Sequence, residues 1–426
     1  MGRIVRGNPL GDMMGSLFER RRYYFNASRG APIEQLCNDL LAEKTEVSSL
    51  AIAAEILARF RGMDTDQKAR FFHCINDNLD VDASKIVAAA EGYASDATPK
   101  TYAKLTAATE PQRYEFLRRL NQPPGATTEL VRMRADLREH MKTAPELART
   151  DTDFSLMLRA WFNRGFLVLH NITWDSPASI LEKITAYEAV HEIETWDDLR
   201  RRLHPVDRRC FAFFHPAMPQ EPLIFVEVAL SKGVPTSIQD VLADRREILA
   251  AETADTAVFY SISNCQAGLA GISFGNSLIK QVVRDLSAEL PNIRNFVTLS
   301  PIPRFRKWLE QNVDDPEAFD AGVLKKLCAI YLTSLNSRNL PVDPVARFHL
   351  QNGAQILAIH TDADVSNAGI AKSVGVMVNY SYEADNISEN LKNLAQKHKI
   401  AASQTVRSYA RHGKALLPKD EKQKPT

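Results

Sequence analysis

Two residues in the second half of the sequence have the types and settings that acid–base or acyl chemistry needs. Ser300 ends an apolar run and is followed by Pro301 and Pro303, which stiffen the backbone around its hydroxyl. A hydroxyl held in this way suits a carboxylate or carbonyl ligand, although a serine that merely ends a strand fits the same pattern. His349 lies between two apolar residues of a predicted strand. Its imidazole is either a half-buried side chain or a general acid or base near neutral pH.

Residues 257–308 combine a glycine-rich loop with a predicted helix. Gly268, Gly271 and Gly275 come before the helix, which is expected to begin at Asn276. The N–H groups and the positive dipole end of such a helix start suit a pyrophosphate, although a plain turn explains the pattern equally well. The loop has neither the GKS or GKT of a Walker motif nor the spacing of GxGxxG.

The same loop contains GISFG at residues 271–275, which matches the GxSxG pattern of a nucleophile elbow with Ser273 as the attacking group. An elbow serine follows its strand directly, whereas the predicted strand ends near Ser263 and Gly268 interrupts any continuation. No HGGG-type oxyanion segment is visible upstream. We therefore favour a loop over an elbow, and a thioesterase that uses Ser273 stays an alternative.

One string of residues has the types that bind metals. His360, Asp362 and Asp364 form HxDxD, but no second histidine follows at a metal-binding spacing, so a polar loop after a strand is the better interpretation. His191 begins HEIETW, which is not the HExxH of a zinc protease. The 5 cysteines are spread along the chain without a CxxC pair, as expected of buried thiols in a reducing compartment. The sequence therefore predicts no metal site.

The elements that must position these residues fall into two parts. Up to about residue 155, apolar residues recur with a helical period, as in the seams of a helical bundle. The stripes are Ile33, Leu36, Cys37, Leu40 and Leu41, then Leu50, Ala54, Leu57 and Phe60, and then Leu130, Met133, Leu137 and Met141. We expect a helical domain over residues 1–155.

From residue 156 onward, β-branched and aromatic runs alternate with helical patterns. The runs predicted as strands are 166–172, 209–215, 223–230, 257–263, 295–300, 345–353, 355–361 and 375–382. Helices are predicted after Pro177, over 237–250 and over 276–290. A turn bounded by Pro219 and Pro222 indicates an antiparallel hairpin of the second and third strands. We expect a mixed α/β domain around a largely antiparallel sheet over residues 156–426.

The composition is that of an ordinary globular protein. Lys plus Arg is 53 and Asp plus Glu is 52, so neither nucleic acid nor an acidic membrane surface is an expected partner. No window approaches the roughly 20 apolar residues of a membrane span. The Arg-rich N-terminus lacks the apolar core of a secretory signal, and Asp12 and Glu19 disfavour a transit segment. We expect a cytoplasmic protein.

Four segments in this order resemble the malonyl-CoA decarboxylase family: GLAGISFGNSLIK, TLSPIPRF, FHLQNGA and VMVNYSY, which begin at residues 268, 298, 348 and 376. The resemblance covers most of the chain after about residue 160. It implies an N-terminal helical domain and a C-terminal catalytic domain similar to the GNAT acetyltransferases. We expect the helical domain to act in assembly or site closure. In that fold an acyl-CoA lies where two central strands diverge, with its pyrophosphate on the loop before a helix.

The resemblance also implies roles for individual residues. Ser300 matches the catalytic serine of the SPIP motif, His349 the catalytic histidine and Tyr382 an active-site tyrosine. The residues implied to bind CoA and the malonyl group are Gly271, Ser273, Gly275, Asn276, Ser277, Thr298, Leu299 and Asn352. The family pattern has a glutamate where this chain has Ser273, which weakens the assignment there. Arg304, Arg306 and Lys307 are either CoA phosphate contacts or a solvated helix face.

Decarboxylation of malonyl-CoA to acetyl-CoA and CO2 suits these residue types without a cofactor. The enolate left by CO2 is delocalised into the thioester carbonyl, so the enzyme must only orient the carboxylate, stabilise the oxyanion and supply a proton to carbon. We expect Ser300 to orient the carboxylate and His349 to protonate the enolate carbon. The alternatives are a CoA-thioester hydrolase, an acyltransferase and a non-catalytic CoA-binding regulator. A homo-oligomer, dimer or tetramer, is also expected.

Overall fold

The structure is a computed structural model that describes residues 31–272, 275–313 and 319–417, with the main chain alone at 275–277. Within these residues the chain forms two compact units. The first unit holds the described residues up to Leu167 together with His215–Pro219 and residues 266–272, and the second holds the rest. Residue 155 falls inside the helix Ala148–Trp161. The functional division at that residue stays a prediction.

The described residues of the first unit are mainly helical, as the sequence predicts. Capping explains where several helices begin, since Asp64 and Thr98 each form a capping box and Asp82 accepts bonds from first-turn N–H groups. Apolar side chains such as Leu36 and Phe72 form one buried core. The helices are α1 Ile33–Ala42, α2 Glu46–Arg61, α3 Thr65–Asn78, α4 Ala83–Ser95, α5 Pro99–Thr109, α6 Gln112–Leu120, α7 Ala126–His140 and α8 Ala148–Trp161.

The second unit is built on a sheet with helices on its faces. The strands are β1 Val168–Ile172, β2 Arg208–Phe214, β3 Ile224–Ser231, β4 Thr256–Asn264, β5 Asn295–Thr298, β6 Ser300–Pro301, β7 Gln355–His360 and β8 Met377–Ser381. The helices are α9 Ala178–Tyr187, α10 Trp196–Leu203, α11 Ile238–Leu242, α12 Gly275–Glu289, α13 Phe305–Asn312, α14 Ala321–Thr333, α15 Pro344–Gln351, α16 Asn367–Ser373, α17 Ala384–Lys397 and α18 Gln404–Gly413.

These strands form one sheet in the order β1-β2-β3-β4-β5-β8-β6, with β7 also paired to β8. The predicted hairpin is confirmed, because β2 and β3 run antiparallel with Arg208 opposite Ala229 and Phe213 opposite Ile224. Among the described strands only the β4–β5 pair is parallel. The expected architecture, a helical region followed by a largely antiparallel mixed sheet, is therefore confirmed.

The parallel pair separates shortly before Ser300. The β4–β5 register ends with Phe259 opposite Thr298, and β4 then runs on to Asn264. The chain after β5 moves instead to β8, where Ser300 pairs with Val378. A register shift between β3 and β4 marks a β-bulge at the same level, which increases the local twist. Ser300 thus lies where the central strands diverge.

One predicted strand is wrong in type, because residues 345–353 fall almost wholly in helix α15. Asp343 caps this helix, and its carboxylate accepts bonds from the N–H groups of Val345 at 2.9 Å and Ala346 at 2.8 Å. Pro344 occupies the first helical position, where a missing N–H has no cost. The helix predicted over 237–250 is also too long, since only Ile238–Leu242 are α-helical there.

Candidate active site

Three elements of the second unit bring together the side chains that the sequence singles out. Ser300 lies in β6, His349 in the last turn of α15 and Tyr382 directly after β8. All three are buried, with exposed fractions of 5%, 2% and 3%. The sequence separates Ser300 from His349 by 49 residues and His349 from Tyr382 by 33, and the fold places them in hydrogen-bond contact.

The contacts form one chain with a definite direction. The Ser300 hydroxyl donates its single hydrogen to Thr298 Oγ1 over 2.8 Å. His349 Nε2 lies 3.2 Å from Ser300 Oγ, and because that hydrogen is already committed, Nε2 must carry a proton and donate. His349 Nδ1 then accepts from the Tyr382 hydroxyl over 2.8 Å. The chain runs Tyr382 to His349 to Ser300 to Thr298.

The electrostatics of the pocket agree with this direction. Burial lowers the pKa of His349 to about 3, so its imidazole is neutral at neutral pH. Burial also raises the pKa of Tyr382 well above its ordinary value, so its hydroxyl keeps the proton that it donates. The hydrogen-bond chain is therefore uncharged before substrate arrives.

Several residues that the sequence did not reveal hold the imidazole in place. The Tyr380 ring stacks on His349 with centroids 4.5 Å apart and an interplanar angle of 23°. Its hydroxyl is buried and has no hydrogen-bond partner among the described residues. Asp343, which caps α15, is itself bonded by the Tyr331 hydroxyl over 3.2 Å. The cap was readable from Asp343 followed by Pro344, but the stacking required the tertiary approach of α15 and β8.

Three residues implied to bind substrate lie beside this chain in different ways. Thr298 Oγ1 accepts from Ser300 and also from the Tyr380 N–H over 3.2 Å. Asn352 follows α15, and its Oδ1 is buried without a hydrogen-bond partner in the described part of the chain. The Leu299 side chain instead belongs to an apolar cluster on the sheet. Leu299 could therefore reach a ligand only through its main chain.

The glycine loop divides between the two units. Gly271 belongs to the first unit and adopts the left-handed backbone conformation, with φ +79. Gly275, Asn276 and Ser277 form the first turn of α12, as predicted, and only their main chain is described. Ser273 lies outside the described residues, so the elbow interpretation is not tested.

The remaining charged candidates have ordinary surroundings. Arg304 and Lys307 are exposed, and Arg306 pairs with Glu310 over 3.2 Å. His360 Nε2 contacts the Asn379 side-chain oxygen. Within residues 31–272, 275–313 and 319–417, no group of three His, Cys, Asp or Glu side chains could hold a metal ion.

A buried hydrogen-bond chain of serine, histidine and tyrosine at a strand divergence has the group types that general acid–base catalysis uses. The comparisons identify the family. Residues 79–162 match the malonyl-CoA decarboxylase N-terminal domain, and residues 165–321 and 315–423 match the C-terminal domain. These matches span most of the chain, which therefore belongs to the malonyl-CoA decarboxylase family.

Individual relatives agree with the family assignment. The chain is 34% identical to the mitochondrial malonyl-CoA decarboxylase of Anser anser anser, over 84% of this chain and 82% of that protein. It is similar to the malonyl-CoA decarboxylase structure from Agrobacterium vitis at 45% identity and a TM-score of 0.83, over 88% of this chain and 99% of the other. The structure from Rhodopseudomonas palustris matches at 44% identity and a TM-score of 0.82, with 88% and 98% covered.

The predicted family and the predicted enzyme class are thus confirmed. No helix in the described part of the chain combines the length and apolar character needed to cross a membrane. The cytoplasmic location stays a prediction, and relatives from Anser anser anser and Rattus norvegicus carry mitochondrial in their names.

Proposed function

We propose that this enzyme decarboxylates malonyl-CoA to acetyl-CoA and CO2 with the Ser300–His349 pair and without a cofactor. The observation that carries the proposal is the Ser300 hydroxyl's bond to Thr298, which leaves His349 as the donor to Ser300. In enzymes with a nucleophilic serine the histidine instead accepts the serine proton. The resting geometry therefore supports proton delivery to a substrate over activation of Ser300 as a nucleophile.

Ser300 first orients the substrate. Its hydroxyl turns from Thr298 to the malonyl carboxylate, which must stand out of the thioester plane so that the breaking bond overlaps the carbonyl π system. When that bond breaks, its electron pair enters the thioester as an enolate and CO2 leaves. The substrate supplies its own electron sink, so no metal or prosthetic group is needed for this step.

His349 then supplies the proton. The enolate carbon takes the Nε2 proton of the neutral imidazole, and Nδ1 takes the Tyr382 hydroxyl proton over the 2.8 Å bond already formed. The transfer is favourable because a thioester enolate is a much stronger base than a phenolate. Solvent returns a proton to Tyr382 after acetyl-CoA leaves, and the cycle is balanced.

The CoA part of the substrate binds through main-chain groups in this proposal. Gly271 presents its N–H in the loop, and Gly275, Asn276 and Ser277 present the first-turn N–H groups of α12, which suit a diphosphate. Asn352 Oδ1 is buried and has no hydrogen-bond partner among the described residues, so it can accept from an amide N–H of the pantetheine arm. The main chain at Thr298 and Leu299 lies where β4 and β5 diverge, and in this proposal it contacts the substrate there.

The test follows three products from malonyl-CoA labelled at its free carboxylate. We expect labelled CO2 and acetyl-CoA in equal amounts and no free CoA, since hydrolysis or acyl transfer would release CoA. Ser300→Ala should lower turnover, whereas Ser381→Ala, another buried serine, should not. Release of free CoA at the rate of substrate loss would replace this proposal with the hydrolase or acyltransferase.

The cofactor-free reaction has a separate test. Activity should persist after exhaustive treatment with EDTA and dialysis, because no step above uses a metal. Loss of activity that one divalent ion restores would direct attention to His360, Asp362 and Asp364. The homo-oligomer, dimer or tetramer, is a further prediction that light scattering of the full chain would check.

A further inference from the structure

A buried arginine of the helical unit holds the glycine loop. Arg134 in α7 is 2% exposed, and its Nε donates to Asp151 Oδ1 over 2.8 Å. One terminal nitrogen of the same guanidinium donates to the carbonyl oxygens of Gly268 at 2.7 Å and Ala270 at 3.1 Å. Nothing in the chemistry of the Ser300–His349 pair accounts for these contacts.

The loop also approaches the helix too closely for any side chain. A Cβ atom placed on Gly268 would lie 1.8 Å from the Val131 carbonyl oxygen of α7, so only glycine fits. Arg159 in α8 adds a bond from its guanidinium to the Gly271 carbonyl over 3.3 Å. Two guanidinium groups, one on α7 and one on α8, therefore bind three main-chain carbonyls of the loop. These are the carbonyls of Gly268, Ala270 and Gly271.

This arrangement decides where a neighbouring N–H points. A trans peptide places the Ala270 carbonyl and the Gly271 N–H on opposite sides of one rigid plane. Because the carbonyl faces Arg134, the Gly271 N–H points away from α7. Among the described residues other than its two chain neighbours, no heavy atom lies within 4 Å of the position that a Gly271 Cβ atom would take. Among the described residues this N–H has no hydrogen-bond acceptor, so it can donate to an anion.

We propose that Arg134 is a positioning residue for substrate binding, which fixes the 268–271 segment so that the Gly271 N–H meets the diphosphate of malonyl-CoA. This inference rests on the proposed CoA contact at Gly271. Arg134 does not touch the reacting atoms.

The chain offers a matched control in the same unit. Arg113 is also 2% exposed, and its Nε donates to Asp153 Oδ2 over 2.6 Å. Its terminal nitrogen donates to the carbonyl oxygens of Asn76 at 2.6 Å and Ile75 at 3.3 Å. The two arginines thus make the same kinds of bonds, but Arg113 holds the end of α3 and Arg134 holds the loop.

The experiment compares Arg134→Met, Arg113→Met and wild type on two substrates, malonyl-CoA and malonyl-pantetheine, which lacks the diphosphate. For Arg134→Met we expect kcat/KM on malonyl-CoA to fall by about 10- to 100-fold through KM, the range expected for lost charge-assisted bonds. Its kcat/KM on malonyl-pantetheine should stay within about twofold, as expected when only the diphosphate contact is lost. Arg113→Met should lower the thermal midpoint without changing the ratio of the two substrates.

Two further variants keep the inference falsifiable if Arg134→Met does not fold. Arg134→Lys keeps the charge and reaches one carbonyl, so its loss on malonyl-CoA should be smaller. Gly268→Ala displaces the loop directly and should show the same substrate-specific KM effect. Equal losses on both substrates, or no loss on either, would overturn the inference. Calorimetric titration with acetyl-CoA measures binding at the loop without any reaction. It therefore tests the role of Arg134 even if the wild type releases no CO2. Failure to release CO2 would refute the proposed function, and not this inference.

Discussion

Two groups of buried polar side chains lie on opposite faces of the sheet, and the proposed reaction uses only one of them. On one face, the Phe259 ring of β4 lies 6.4 Å from that of Tyr382, beside Ser300 and His349. On the other face Glu227 of β3 lies between Phe225 and Ala229, which belong to the apolar clusters there. Burial of both groups is complete or nearly so.

The pKa shifts alone would point to Glu227 rather than to His349. Burial raises the pKa of Glu227 to about 7, against the lowering effect of Arg202, and such a value suits acid–base work at neutral pH. Burial lowers the pKa of His349 to about 3. Yet Glu227 is bonded by Arg202 over 3.1 Å, and Arg202 also donates to the His191 and Glu192 carbonyls. The Arg202 guanidinium joins a loop to the strand, whereas in the proposed mechanism the Ser300–Thr298 bond is exchanged for a bond to substrate.

The largest expected effect is that of removing the imidazole. His349→Gln should lower kcat by about 10²- to 10⁴-fold, because positioned proton transfer is worth that range. The binding of acetyl-CoA should change little. Because Ser300 and His349 act on one step, Ser300→Ala with His349→Gln should be hardly slower than the slower single variant. Losses that multiply in the double variant would contradict a shared step.

The next effect tests the donor behind the imidazole. Tyr382→Phe leaves Nδ1 of the buried His349 without its hydrogen bond, which should cost about 10- to 100-fold in kcat. The matched variant is Tyr380→Phe, whose hydroxyl has no partner among the described residues and whose ring still stacks on His349. Steady-state rates at pH 7 decide between them. A larger loss for Tyr380→Phe would show that stacking or an unassigned contact matters more than the Tyr382 donor.

The sequence was sufficient for part of this site. Ser300, His349 and Tyr382 were found because each stands in a motif, and the motifs occur in the family's order. The alternation of apolar residues was sufficient for most strands and for the hairpin of β2 and β3. A motif consists of residues that are close together in the sequence, so motifs predict local features and not contacts between distant segments.

What could not be predicted depends on contacts distant in sequence. The residues around His349 read as a strand, since Phe348 and Leu350 are common there, but the Asp343 cap and Pro344 outweigh that propensity. The direction of the hydrogen-bond chain required the 2.8 Å contact of Ser300 with Thr298. Arg134 is 134 residues from Gly268, and no local pattern marks their bond.

A moderate effect is expected at Thr298, which holds the Ser300 hydrogen away from His349 in the resting chain. Thr298→Val removes this acceptor, so Ser300 can donate to Nε2 and the ring changes to the Nδ1-protonated tautomer. We expect kcat to fall about tenfold, as for one lost hydrogen bond, and Thr298→Ser to restore it. Nitrogen-15 shifts of labelled His349 report the tautomer directly. An Nδ1-protonated ring in the wild type would contradict the assigned direction.

The smallest effect on activity is expected at Glu227. The two faces of the sheet should instead differ most clearly in how the free energy of unfolding depends on pH. Glu227→Gln should leave kcat within about twofold, since the carboxyl contacts no reacting group. The folded pKa of Glu227, about 7, exceeds its ordinary 4.5. Its contribution to stability, relative to the Gln variant, is therefore present at low pH and lost as pH rises from 4.5 through 7.

His349 should show the opposite dependence. Its folded pKa of about 3 lies below its ordinary 6.5, so its contribution relative to His349→Gln is present above pH 6.5 and lost as pH falls. Each slope is at most about 1.4 kcal/mol per pH unit. Urea unfolding of wild type and both variants between pH 4.5 and 7.5 measures the two differences. Slopes of the same sign would mean that one of the two groups is not charged as the buried environment dictates, and the contrast between the faces would fail.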